Sequence, residues 1–98
     1  MVYAKGIVLI CNEGCSDDIG EFVEACLRDG VAIICAIGPN ARHIEDVIDE
    51  FIVGDGSDHS RFILTSSHID EPMDDVMDFV KICTEGLADK SVQVIALE

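Results

Sequence analysis

Apolar and polar positions along this chain switch repeatedly between two periods. Gly6-Ile7-Val8-Leu9-Ile10-Cys11 is a continuous apolar run, the pattern of a strand covered on both faces. Asn12-Glu13-Gly14-Cys15 turns the chain, and Ser16 or Asp17 is placed to cap a helix. Ile19, Phe22, Val23, Cys26 and Leu27 then recur at helical spacing, with Asp18, Glu21, Glu24 and Arg28 opposite them. Asp29-Gly30 ends that helix, glycine accepting a left-handed backbone. Val31 to Ile37 predicts a second buried strand, broken by Gly38-Pro39-Asn40. Ile44, Val47, Ile48, Phe51 and Ile52 form the stripe of a second helix, and Val53 to Asp58 reads as a turn-rich loop.

Phe62 to Ser66 predicts the third strand, followed by a polar turn that carries His68. Asp70-Glu71-Pro72 opens a third helix, with proline in its first turn and acids placed to meet the helix dipole. Its stripe is Met73, Val76, Met77, Val80 and Cys83; after Gly86 to Lys90 comes a last strand, Val92 to Leu97. The resulting βαβαβαβ order predicts one α/β domain over residues 1–98. It would be a small three-layer flavodoxin-like or Rossmann-like sheet of four parallel strands with right-handed crossovers, in the order 2-1-3-4.

That order has consequences for surfaces. It places the first helix alone on one sheet face and the second and third helices on the other. Strand four is apolar on both sides, Val92, Val94 and Ala96 alternating with Ile95 and Leu97. An apolar edge strand with little cover predicts a homodimer through the strand-four side.

Composition narrows the partners. Twenty acids against six Lys and Arg leave a net charge of -14, so nucleic acid, which demands phosphate neutralisation, is excluded, as is an anionic membrane surface. A basic protein or a cation is the partner that electrostatics favours. With 49% hydrophobic residues the chain is too apolar for disorder, yet no run approaches the roughly 20 residues needed to cross a bilayer. No signal peptide is legible. Four of the five cysteines, Cys11, Cys26, Cys35 and Cys83, sit in apolar periodic segments, as buried free thiols do. An odd count without a secretion signal predicts a reduced, cytoplasmic protein.

In the predicted topology the loops after strands one, two and three share one edge of the sheet, and the crevice between strands one and three is the switch point. That edge gathers the candidate ligand-binding residues Asn12, Glu13, His43, Ser67, His68 and Glu71. Cys11 to Ser16 has the look of a phosphate loop, but Asp17 stands where a phosphatase needs arginine, and Glu13, Asp17 and Asp18 repel phosphate. No histidine shows the close spacing of a metal site, and Asp55 to Asp58 lacks the alternating ligands of a calcium loop. Ser66, Ser67 and His68 are adjacent in sequence, which makes no triad, and no Gly-x-Ser-x-Gly elbow is present. His68 also has a structural reading: an imidazole at a strand end, bonded to the next helix turn, its tautomer set by Asp70 or Glu71.

Several of these residues form a recognisable pattern. Gly38-Pro39 after strand two is followed by Asp46 and Asp49, then Gly54-Asp55, then Arg61, Phe62, Thr65, His68, Asp70, Glu71 and Pro72, with Phe79 and Lys81 beyond. This resembles a family of small bacterial α/β proteins of unknown function, whose most specific segment reads Arg-Phe-x-x-Thr-x-x-His-x-Asp-Glu-Pro. The chain departs from that pattern in lacking tryptophan. The resemblance implies a fold and carries no activity.

The residues therefore point first to a non-catalytic interaction module, acidic and dimeric, engaging a basic partner in the manner of an immunity protein or inhibitor. The second reading is a small-ligand or metal-binding domain with its pocket at the sheet edge named above. Catalysis ranks last, and no catalytic residue, metal ligand or cofactor is assigned.

Overall fold

Residues 3–11, 19–54, 56–57, 62–87 and 91–97 are described by the computed structural model. Along them run β1 (Gly6–Cys11), α1 (Ile19–Asp29), β2 (Ile33–Ile37), α2 (Ala41–Val53), β3 (Leu64–His68), α3 (Met73–Thr84) and β4 (Val92–Leu97). The elements alternate as the hydrophobic periods predict, and the four strands join one sheet in which every pair is parallel.

The strand order is β3-β2-β1-β4, which corrects the expected 2-1-3-4. From β1 the chain steps to β2 and again to β3 in one direction, then returns past both to the far side of β1. Right-handed crossovers then dictate the layers. The two forward steps put α1 and α2 together on one face, and the return puts α3 alone on the other, so α2 sits with α1 and not, as expected, with α3. The cores follow. Ile7 and Leu9 of β1 bury against Phe22, Val23, Ile44 and Ile48 of α1 and α2, while Val8 and Cys35 bury against Val76 and Val80 of α3. The polar composition of β3 explains its place: Thr65, Ser66 and Ser67 suit an edge, whereas β1, apolar on both faces, takes the middle. The crevice expected between strands one and three does not exist, because β2 lies between them.

β3 is also displaced from its expected bounds. His68 pairs with Ile37 in the β2 register, and its carbonyl accepts from Gly38 N–H at 3.2 Å, so Ser67 and His68 belong to the strand and not to a turn after it. The buried polar side chain of His68 is tolerated because Ser66 and Glu71 stand on either side of its ring, as described below.

One helix about 10 Å across cannot cover four strands whose outer members lie roughly 14 Å apart. α3 takes the middle of its face and leaves the flanks open: Leu64 of β3 and Val94 of β4 are each 47% exposed. Its close seat on β1 depends on Gly6. A Cβ there would stand 2.5 Å from Val80 Cγ1 and 3.2 Å from Thr84 Cγ2. Gly6→Ala should therefore lower stability by about 1–3 kcal/mol, an overpacking cost. Gly20→Ala meets only the ring of half-exposed Phe51 at 3.0 Å, which can swing aside while alanine favours the helix, so it should be near neutral. Urea denaturation of both variants checks this; equal losses would contradict the account.

Candidate functional site

The polar residues of β3 divide by the twofold alternation of a strand. Thr65 faces α2, where its Oγ1 lies 2.6 Å from Asp49 Oδ1 and 3.2 Å from Glu45 Oε2. A hydroxyl has one proton to donate, and the shorter distance gives it to Asp49. The contact pins the edge strand to the helix above it.

Ser66 and His68 point to the opposite face, where a continuous chain of polar contacts runs from core to surface. Cys35 Sγ lies 3.1 Å from Ser66 Oγ, Ser66 Oγ lies 2.8 Å from His68 Nε2, and His68 Nδ1 lies 2.8 Å from Glu71 Oε2. His68 is buried, Glu71 exposed, and the Phe79 ring of α3 packs on the imidazole with centroids 5.1 Å apart. Asp70 makes the geometry possible. Its φ of 62°, a left-handed conformation that aspartate tolerates better than most residues, folds the chain back so that Glu71 meets the histidine three residues before it.

Proton bookkeeping shows that the chain is complete. Burial pushes the Cys35 thiol up from its ordinary 9.0 to about 11, with the Ser66 hydrogen bond opposing, so at neutral pH it keeps its proton and can donate to Ser66. With Nδ1–H donating to Glu71, a neutral imidazole accepts the Ser66 hydroxyl at Nε2; a protonated one donates to Ser66, which then donates to sulfur. Either way every member is paired. Among the described residues no buried side-chain nitrogen or oxygen lacks a hydrogen-bond partner.

Serine, histidine and carboxylate in this sequence of contacts form the skeleton of an acyl-transfer triad, but the setting differs from one. Leu64 N–H donates to Ala32 and His68 accepts from Gly38, so in this parallel ladder residues 64, 66 and 68 direct their amides to β2. The Ser66 N–H is thereby consumed, and it cannot serve an oxyanion at its own Oγ. The arrangement instead ties strand end, helix start and core together.

Of the other expected site residues, the two that are described, His43 and Ser67, lie apart from this chain of contacts. Asn12 and Glu13, like Cys15 and Arg61, lie outside the described residues. His43 is exposed on α2, and Ser67 sits on the α2 side of β3, away from His68. Of the expected residues that are described, the structure brings together His68 and Glu71, and it adds Ser66 and Cys35. Ser66 stands two residues before His68 on one strand face, a relation that the expected strand end at Ser66 concealed; Cys35 belongs to another strand and needed the register. Among the described residues no group of three or more His, Cys, Asp or Glu side chains is placed to hold a metal ion. A hollow of about 770 Å³ is lined by Tyr3, Phe22 and Phe51 with Glu21, Glu24 and Arg28, none of them an expected site residue.

A profile described as a domain of unknown function, DUF7684, matches residues 3–98. The chain belongs to the DUF7684 family. No curated protein and no solved structure matches it. No helix among the described residues of this DUF7684 domain is long and apolar enough to cross a membrane.

Two measurements test the site. His68→Ala removes the middle of the polar chain and should cost about 1–3 kcal/mol of stability, against less than about 0.5 kcal/mol for exposed His43→Ala; similar values for the two would refute the structural role. The cysteines give a pH dependence. Burial, reinforced by Asp29, raises Cys26 to about 12, and Cys35 stands at about 11, both above the unfolded 9.0. The folded state holds these protons longer, so stability present below pH 9 is lost as pH climbs towards 11–12. The urea midpoint should fall across that alkaline range, and less steeply in Cys26→Ala. Alkylation of the native protein at neutral pH should label half-exposed Cys83 well before Cys26 or Cys35.

Proposed function

We propose that this DUF7684 domain is a non-catalytic protein-interaction module, working in a reducing, cytoplasmic setting, whose partner is a basic polypeptide bound along β3 and the start of α3. One observation carries the reading: large apolar side chains stand exposed amid acids there. Phe62 is 72% exposed, Leu64 47% and Phe79 37%. In the turn after the strand and on the helix, Asp70, Glu71, Asp74, Asp75 and Asp78 are all exposed. Apolar anchors within a charged rim are the make-up of a binding surface, and the sign of the rim selects a basic partner. The strand itself adds a second attachment. Residues 64, 66 and 68 bond inwards to β2, which leaves the N–H and C=O groups of Thr65 and Ser67 on the outer side of an edge strand, where an extended peptide can add.

A peptide alternating lysine with valine, and its glutamate counterpart, would test this by fluorescence anisotropy. The lysine peptide should bind and weaken steeply with ionic strength, while the glutamate peptide should not bind. Leu64→Glu and Phe62→Glu, both at exposed positions, should weaken binding of the lysine peptide several-fold without changing the melting temperature. Equal affinity for both peptides, or indifference to salt, would overturn the proposal.

A further inference from the structure

β4 forms the other edge of the sheet, and it lacks the usual guards. Val92-Gln93-Val94-Ile95-Ala96-Leu97 contains no charge and no proline, the features by which edge strands normally resist pairing. Its hydrogen-bonding phase is fixed by the ladder to β1. Gly6 N–H donates to Ser91 C=O at 3.0 Å and Gly6 pairs with Val92, so Gln93 and Ile95 direct their amide groups to β1. Val92, Val94 and Ala96 direct theirs outwards.

These three outward residues are symmetric about Val94, and from that symmetry we infer that β4 pairs antiparallel with β4 of a second copy, around a twofold axis at Val94. The inference is independent of the basic partner at β3. In this register Val94 faces Val94 of the partner subunit and exchanges both hydrogen bonds with it. Val92 faces Ala96 of the partner subunit, and Ala96 faces Val92 of the partner subunit. All outward groups of the strand are used. A shift of two residues either way leaves one outward residue on each copy unpaired, and a shift of one sets outward groups against inward ones. The product is an eight-stranded sheet with both copies of α3 on one face and the half-exposed Val94 side chains side by side between them. The charge of -14 on each copy opposes association, so salt should strengthen this dimer by screening, opposite to its effect at β3.

Sedimentation equilibrium and paired cysteine variants test the inference. The protein should sediment at twice its monomer mass at micromolar concentration, with a dissociation constant that falls as salt rises. Val94→Pro removes an outward N–H without touching the ladder to β1, and should give a folded monomer. Val94→Cys should cross-link into a covalent dimer under mild oxidation, because facing residues stand about 5.5 Å apart, within disulfide reach. Ala96→Cys, carrying the same native cysteines, should not, since its copies lie roughly 13 Å apart in this register. This comparison decides even if Val94→Pro does not fold. A wild-type monomer at every salt concentration, a dimer that survives Val94→Pro, or cross-linking of Ala96→Cys as fast as Val94→Cys would each overturn it.

Discussion

α3 rests directly on the backbone of β1 because position 6 carries no side chain: a Cβ there would come within 2.5 Å of Val80, closer than packed atoms allow. This contact governs one whole face of the molecule. Among the described residues, Val8, Ile33 and Cys35 are buried in one cluster with Val76 and Val80 of that helix. Because the helix is seated over the middle strands, it meets the outer ones only in part, through Phe79 on His68 and beside Val92. The exposed Leu64 and Val94 are thus two results of one placement, and both surfaces that invite partners border the same helix.

The opposite layer is built with redundancy. Two helices share it, and they join Ile7, Leu9 and Ile34 to Ile19, Phe22, Ile44 and Ile48 in a single cluster. The edge strand β3 draws on both layers, through Thr65 to the carboxylates of α2 and through Ser66 and His68 to Cys35 and Glu71. A strand of such polar composition adds little hydrophobic attraction of its own beyond Leu64 and the buried Ile63 that precedes it. The side-chain hydrogen bonds of Thr65, Ser66 and His68 hold it instead, and a low-dielectric surround makes each of them matter more than it would in water.

The elements were legible because each carries an unambiguous period, and β1 and β2 read as buried runs. The order of the strands was not, since handedness fixes the face of a crossover and not how many strands it passes over. The polarity of Thr65, Ser66, Ser67 and His68 was a sign that β3 is no central strand, as the order 2-1-3-4 required. The apolar character of β4 pulled the other way, because it looks like an interior strand and lies at an edge. For the site, His68 and Glu71 stood close enough in sequence to be paired on local grounds. Ser66 was hidden by the strand boundary: ending the strand at Ser66 broke the alternation that puts residues 66 and 68 on one face. Cys35 depended on the β2–β3 register, which no local pattern encodes.

The return of the chain past β2 and β1 also shapes how the sheet must assemble. Lys5 and Ser91 are hydrogen-bonded across 86 residues of sequence, and every rung between β1 and β4 spans a similar distance. The pairings of β1 with β2 and of β2 with β3 close much shorter loops. Loop-closure entropy rises with separation, and long-range contacts slow folding. The central strand therefore acquires its second neighbour at the greatest entropic cost in the molecule. Until it does, the most apolar strand of the sheet has one edge bare.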